Sequence, residues 1–179
     1  MFRSLVLLSS FFIASQAACG FPNGTDTKIS WWQGPGTANA KITSLSTTDS
    51  SGAPEYPIYL TKPLKIKVHL INNEAVGWNG DGFTQTIKLW QYTGFGTCNW
   101  EEVPTFGLLD NQPACKNGVP CPLPVGENDV TITMDFTGYS SIINLLKDDS
   151  PYQIDFIFND KTSGKSFSAY AQARCRTKN

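Results

Sequence analysis

The chain has 179 residues, and its 14 Lys and Arg nearly balance its 15 Asp and Glu, giving a formal net charge of −1 at pH 7. The basic residues are scattered rather than clustered, so the sequence has no electrostatic footprint for nucleic-acid binding. Without the N-terminal segment described next, roughly 160 residues remain, a length that predicts one domain with a substantial core.

The N-terminal segment Met1–Ala18 has the pattern of a secretory signal peptide. Arg3 supplies the positive start, a short apolar stretch follows from Leu5 to Ile13, and Ser15-Gln16-Ala17-Ala18 offers small residues for cleavage. The apolar stretch is much shorter than the ~20 residues needed to cross a bilayer. We therefore predict a signal peptide over residues 1–18 and a soluble, secreted domain over residues 19–179.

Asn23-Gly24-Thr25 is an N-glycosylation sequon that precedes the first predicted strand. In an exported chain this position is accessible, so we expect a glycan on Asn23. Delivery to the lysosome through that glycan is a further hypothesis.

Alternation of apolar and polar residues dominates the rest of the chain. In the clearest case, Leu64–Leu70, the apolar residues point one way while two lysines and His69 point the other. The predicted strands are Lys28–Trp32, Lys41–Leu45, Leu64–Leu70, Phe83–Tyr92, Val130–Phe136, Tyr152–Phe158 and Phe167–Cys175. About seven strands separated by Gly, Pro, Asn and Asp turns predict an all-β fold, a β-sandwich.

The last predicted strand has small residues on one face, because Phe167 is followed at every second position by Ala169, Ala171 and Ala173. Small side chains on an inward face either let the opposite sheet approach closely or leave a cavity between the sheets. The sequence leaves both interpretations open.

Two segments carry apolar residues that an ordinary loop does not need. Trp78 stands among glycines at a predicted hairpin tip, where it could plug the core or anchor an interface. The segment Ile142–Leu146 could cap the end of the sandwich, or it could form a lid over a lipid cavity or a loop that dips into a membrane.

Five cysteines fit an oxidising compartment, and their odd number leaves one thiol without an intramolecular partner. Cys115 and Cys121 bracket an Asn-Gly turn and are predicted to form a disulfide that staples a hairpin. The preferred second pair is Cys19 with Cys175, which leaves Cys98 unpaired. A Cys98–Cys115 bond remains an alternative.

No catalytic or metal-binding constellation emerges from the sequence. His69 is the single histidine, and no Gly-x-Ser-x-Gly motif accompanies it. A zinc site would need several His and Cys ligands, and the cysteines are better explained as disulfide partners. We therefore expect a protein that is not an enzyme and that has no metal or cofactor.

The cysteine hairpin Ala114–Leu123 and the alternating strand after it resemble the ML lipid-recognition family. The resemblance extends to the ganglioside activator branch, whose opening strands look like Ile29–Trp31 and Ala40–Leu45. The turn Phe95–Trp100 and the segment Ile142–Ile154 are also similar to that branch. The activator branch carries an additional cysteine where this chain has Gln33-Gly34, so the chain departs from its disulfide pattern.

The resemblance implies an immunoglobulin-like β-sandwich whose two sheets part to admit a lipid tail. It implies binding or transfer of a sterol, phospholipid or glycolipid, with transient membrane contact and a possible lipid-processing enzyme or receptor as partner. The residues expected at the cavity mouth are Trp78, Ile142, Ile143, Leu145 and Leu146, and those expected in its interior are Phe136, Phe156 and Phe158.

The alternative function is that of a secreted interaction module with a filled core. An apolar cavity of several hundred Å3 would favour the lipid carrier, since ligand sites typically have that size.

Overall fold

Two β-sheets packed face to face form the fold in the computed structural model, which describes residues 19–75 and 77–178. The predicted signal peptide, residues 1–18, lies outside the described residues. The larger sheet has the strand order β1-β10-β9-β5-β6, with β3 added to β10 and β7 added to β5, and the smaller sheet has the order β2-β4-β8. Neighbouring strands are antiparallel except for the short β3, which runs parallel to β10. The all-β sandwich predicted from the sequence is confirmed.

The strands are β1 (Ser30–Gln33), β2 (Ala40–Thr48), β3 (Ile58–Tyr59), β4 (Leu64–Asn72), β5 (Phe83–Thr93), β6 (Asn99–Glu102), β7 (Gln112–Pro113), β8 (Gly126–Met134), β9 (Ser150–Asp160) and β10 (Lys165–Arg176). Each of the seven predicted strands is present with its ends shifted by a few residues. The sequence did not predict β3, β6 and β7, because strands of two to four residues are too short to show alternation.

Period-two alternation explains how both sheets bury one face. On β4, Leu64 and Val68 point inward and lie beside Met134 and Val130 of β8. On the opposite sheet, each small residue of β10 lies beside a large residue of β9. These pairs are Ala169 with Phe156, Ala171 with Ile154, and Ala173 with Tyr152. The alanines are therefore partly compensated by their β9 neighbours.

The predicted Cys115–Cys121 disulfide is present and closes a turn that packs against β8. Gly118 sits in this turn with a φ of +92°, and a Cβ there would come within 1.8 Å of the carbonyl oxygen of Thr133. The N–H of Thr133 donates to the carbonyl oxygen of Gly118 at 2.9 Å. Only glycine allows this approach, because it combines a left-handed backbone with the absence of a side chain.

The predicted Cys19–Cys175 disulfide is wrong, because Cys19 pairs with Cys98. Cys175 is a free cysteine with only 1% of its surface exposed. The alternation of β10 places Cys175 on the same inward face as Ala173, where it lies beside Ile58 and faces the interior. Since both Cys98 and Cys115 are bonded elsewhere, the alternative Cys98–Cys115 pair is also absent.

The loop between β8 and β9 contains α1 (Ser140–Ile143), a helix of four residues. Within residues 19–75 and 77–178, no helix combines the length and the apolar character needed to pass through a membrane. Ile142 and Ile143 of α1 are buried, so this loop packs against the end of the sandwich.

Candidate functional site

An apolar cavity of about 90 Å3, here named the main cavity, lies between the two sheets. The smaller sheet contributes the inward residues of β2, β4 and β8, and the larger sheet contributes those of β9 and β10. The alanine row of β10 forms part of the wall, as do Phe156 and Phe158 of β9. The polar atoms of the described lining residues belong to Thr47, Asn72, Trp78 and Tyr152, together with the thiol of Cys175.

A cluster of aromatic rings packs at one end of the main cavity. The ring centroids of Trp78 and Phe83 are 5.4 Å apart in an edge arrangement. The ring centroid of Phe158 lies 5.9 Å from that of Phe83 and 6.5 Å from that of Phe167. Edge and offset contacts of this kind stabilise an aromatic cluster beyond simple burial.

One buried donor at the aromatic end has no protein partner. Trp78 is 4% exposed, and its indole Nε1 has no hydrogen-bond acceptor among the described residues. The other polar side chains on the wall are satisfied: Asn72 Nδ2 donates to the carbonyl oxygen of Pro124 at 3.1 Å, and Thr47 Oγ1 donates to that of Glu55 at 2.9 Å. A buried N–H without a partner costs free energy, so Trp78 Nε1 is the unsatisfied polar atom among the described lining residues of the main cavity.

The main cavity borders the side of the sandwich where the edge strands β1 and β2 meet. Ile29, Leu45 and Ala171 line the cavity and are only partly buried. The side chain of Gln33 links the two edges, because its Nε2 donates to the carbonyl oxygen of Ala40 at 2.9 Å and its Oε1 accepts from the N–H of Ile42 at 3.1 Å. Here the two sheets are joined by side-chain bonds rather than by a strand ladder.

Two further cavities lie beside the main cavity. The second cavity has a volume of about 240 Å3, and the third, of about 10 Å3, lies under α1. Ile154 lines both the main and the third cavity, whereas Leu109, Phe136 and Tyr139 line both the second and the third. The third cavity therefore borders both of the others, whereas the main and second cavities share no lining residue.

The structure places the three residues predicted for the interior in different cavities. Phe156 and Phe158 line the main cavity, whereas Phe136 lines the second and third cavities. Trp78, which was expected at the mouth, lies inside the main cavity, because its backbone pairs with that of Leu123 and its ring packs on Phe83.

The predicted mouth around Ile142–Leu146 is not at the main cavity. Ile142 and Ile143 line the small third cavity, and Leu146 is buried. Leu145 is 61% exposed and points away from the core. The loop caps the sandwich, the first of the interpretations that the sequence allowed, because the interior is the most favourable place for three of its four apolar side chains.

Sequence reasoning missed two exposed aromatic residues. Phe95 is 82% exposed at the β5–β6 turn, and Phe106 is 78% exposed after β6. Phe95 stands between Gly94 and Gly96, and Phe106 precedes Gly107. An aromatic residue flanked by glycine was the available signal, and it is the same signal that drew attention to Trp78.

Asn23 is exposed, and its side-chain Nδ2 donates to Gln172 Oε1 at 2.7 Å. This bond begins a chain that continues from Gln172 to Gln153 and from Gln153 to Asp155 across the outer face of the larger sheet. Burial raises the pKa of Asp155, which also accepts a hydrogen bond from Trp90 Nε1 at 2.7 Å. Glycosylation of Asn23 remains a prediction.

His69 lies on the outer face of the smaller sheet between two carboxylates of β8. Its Nδ1 is 2.8 Å from Asp129 Oδ1, and its Nε2 is 2.8 Å from Glu127 Oε1. The hydrogen bond to Asp129, followed by that to Glu127, raises the pKa of His69 above its ordinary value. The ring is thus held as a charge-paired surface group on the side of the sheet that faces away from the main cavity.

No protein-family model matches the chain, and no curated protein matches it. A structural comparison finds similarity to the crystal structure of a Niemann-Pick type C2 protein from Japanese carpenter ant. The sequences are 14% identical, the match covers 82% of this chain and 99% of that one, and the TM-score is 0.45.

Proposed function

We propose that the protein binds a lipid between its two sheets and carries it without breaking a bond. The observation that carries this proposal is the main cavity, an apolar space with one unpartnered donor, Trp78 Nε1, at its aromatic end. The sequence resemblance to the ML family points to the same function. A sterol, a phospholipid and a glycolipid each have an apolar body that such walls would surround.

The unliganded cavity is smaller than the carrier hypothesis predicted. Its volume of about 90 Å3 is below the several hundred Å3 that ligand sites typically have. A lipid therefore enters only if the sheets separate, and we place that separation at the edge between β1 and β2, which two side-chain hydrogen bonds of Gln33 join. Breaking the two Gln33 hydrogen bonds would free this edge.

The biological setting is part of the same proposal. The signal-peptide pattern, the two disulfides and the Asn23 sequon support a secreted or lysosomal protein. Transient membrane contact and hand-over to a lipid-processing enzyme or receptor would follow from a carrier function. No nucleic-acid partner is proposed.

Native mass spectrometry of the secreted protein, followed by solvent extraction, tests the proposal. We expect a co-purifying lipid, or uptake of lipid from mixed liposomes, in near-stoichiometric amount. The substitution Ala171→Phe fills the main cavity and should abolish uptake. Thr131→Phe adds the same side chain on the exposed outer face of β8 and should leave uptake unchanged. Equal uptake by both variants would overturn the proposal.

A secreted interaction module is the second candidate, favoured by the small cavity and by the exposed rings of Phe95 and Phe106. Exposed aromatic residues are frequent anchors at protein interfaces. A lipid-free protein that takes up nothing from mixed liposomes would favour this candidate.

A further inference from the structure

The sequon residue Asn23 lies against the outer face of the larger sheet, the face turned away from the main cavity. Its Nδ2 donates a hydrogen bond to Gln172 Oε1 of β10 at 2.7 Å. Side chains alternate between the two faces along a strand, so Gln172 shares the outer face with Tyr170, whereas Ala171 and Ala173 line the main cavity. A sugar joined to Nδ2 replaces one of its two hydrogens, and the other hydrogen can keep the bond to Gln172. A glycan on Asn23 therefore begins on this outer face.

The turn that carries Asn23 is held in place by its own hydrogen bonds and by β10. Thr25, the third residue of the sequon, is fully buried, and its Oγ1 donates to the carbonyl oxygen of Pro22 at 2.6 Å. The hydroxyl of Tyr56 donates to the carbonyl oxygen of Thr25 and accepts from the N–H of Arg174 on β10 at 2.8 Å. The first sugar would therefore hold one position above the sheet. Since Thr25 is inaccessible in the folded chain, the glycan has to be added before this turn folds.

Two aromatic rings lie next to Gln172 on the same face. Tyr170 is two residues away along β10, which corresponds to about 7 Å in a strand. Trp32 of β1 lies opposite Tyr170 in the sheet, and the two ring centroids are 5.6 Å apart. Trp32 is 37% exposed, so its ring is accessible to a further group. A sugar ring presents C–H groups whose weakly positive hydrogens pack on the negative face of an aromatic ring. The Trp32–Tyr170 pair therefore offers a packing surface to the first sugars.

The charged groups of this face have partners, which favours a neutral occupant. Lys88 Nζ lies 3.8 Å from Glu102 Oε1, and Arg174 Nε lies 2.6 Å from Asp149 Oδ1. Asp155 accepts two hydrogen bonds from neighbouring side chains of the face. Neutral sugars rich in hydroxyl groups would leave all of these arrangements intact.

We propose that the outer face of the larger sheet binds the chain's own N-linked glycan, whose first sugars extend from Asn23 and pack on Trp32 and Tyr170. The hydrogen bond between Asn23 and Gln172 is what commits the face to this occupant. The inference rests on glycosylation of Asn23, which belongs to the proposed biological setting, and not on lipid binding. A protein that takes up no lipid would leave the inference unaffected, whereas an unmodified Asn23 would overturn it.

NMR of the secreted glycoprotein, with its sugars labelled with carbon-13, tests the contact directly after glycopeptide mapping of Asn23. We expect nuclear Overhauser effects between protons of the first two sugars and ring protons of Trp32. The same sugar protons should shift upfield relative to the glycoprotein in urea, because an aromatic ring shields protons above its face. Sugar signals that match those in urea and show no such contacts would overturn the proposal. A dimer in which a second copy of the chain covers this face, with the sugars free, would overturn it too.

Stability measurements on matched variants give a second test. The reference is the same chain made without a glycan in the oxidising periplasm of a bacterium, which keeps Asn23 itself unchanged. A contact with an aromatic ring corresponds to about a 2- to 10-fold effect on an equilibrium constant, so the glycan should raise the ratio of folded to unfolded protein by about that factor. Trp32→Ala should remove this rise. Trp100→Ala disrupts the comparable Tyr92–Trp100 pair at the opposite edge of the sheet and should keep it. An equal rise in both variants would overturn the proposal. Should Trp32→Ala fail to fold, the sugar contacts of the wild-type protein decide alone.

Discussion

The thiol of Cys175 should be almost unreactive in the native protein. It lies on the wall of the main cavity with 1% of its surface exposed, and burial raises its pKa from the ordinary value of 9.0 to about 12. Because the thiolate is the reactive form, a difference of this size lowers its population at pH 8 by about a thousandfold. Lack of access for the reagent slows the reaction further.

Labelling with a chromogenic disulfide reagent at pH 8, before and after addition of urea, measures this effect. We expect one thiol per chain in urea and a native rate at least about a thousandfold below that of an exposed cysteine. Peptide mapping should locate the label on Cys175, and Cys175→Ala should abolish the signal. Rapid native labelling of Cys175 would refute the buried position of its thiol, and a label on Cys98 would refute the Cys19–Cys98 pairing.

Three other predictions concern stability, measured as the free energy of unfolding in urea. The hydrogen bond to Asp129 raises the pKa of His69 above 6.5, so the charged ring should stabilise the fold fully below pH 6.5 and lose this effect as pH rises through the raised pKa. The variant His69→Gln should therefore show a flatter dependence of the unfolding free energy on pH between about pH 5 and 8. Replacing both cysteines of the Cys98 disulfide with serine should cost about 4.5 kcal/mol in the chain-entropy model, since the bond spans 79 residues, and an unchanged midpoint would contradict this. Gly118→Ala should lower the unfolding free energy by more than the ~1–3 kcal/mol of backbone strain, because the new Cβ would also clash with Thr133. Gly52 has a similar φ of +91° but open space around it, so Gly52→Ala should show the strain alone. Equal losses of unfolding free energy would contradict the close approach of Gly118 to β8.

The alternation of residue types was sufficient to predict the seven longer strands. In β4 and β8 one face is buried and the other is exposed to water, so whether a residue is apolar or polar indicates the face on which it lies. The same periodicity placed Cys175 on the face of Ala173, which was the available signal against a bond to Cys19. The predicted Cys19–Cys175 bond would have linked the two ends of the domain, but Cys19 pairs with Cys98 and Cys175 stays in the interior.

The cavities could not be predicted, because their volume depends on the distance between the sheets rather than on the pattern within one strand. The alanines of β10 indicated space between the sheets, but their large neighbours on β9, Phe156 and Tyr152, fill part of it. The second cavity depends on Gln85, an apparently ordinary polar residue of a predicted strand. Only the packing of the Cys115–Cys121 turn against β5 and β8 makes its side chain an interior group.

The energetics of lipid burial restrict how the sandwich can open. Burying a methylene group gains about 0.8 kcal/mol, so a chain of ten carbons gains about 8 kcal/mol. This gain is comparable with the entire stability of a typical domain, about 5–15 kcal/mol, and exposing a single buried Leu or Phe costs about 1.5–3 kcal/mol. Separating the sheets along their whole length would expose many such residues and would exceed the gain. Releasing the two bonds of Gln33 costs only about 0.5–1.5 kcal/mol each, so opening at the β1–β2 edge would take a small part of this gain and leave the rest to offset the entropic cost of binding.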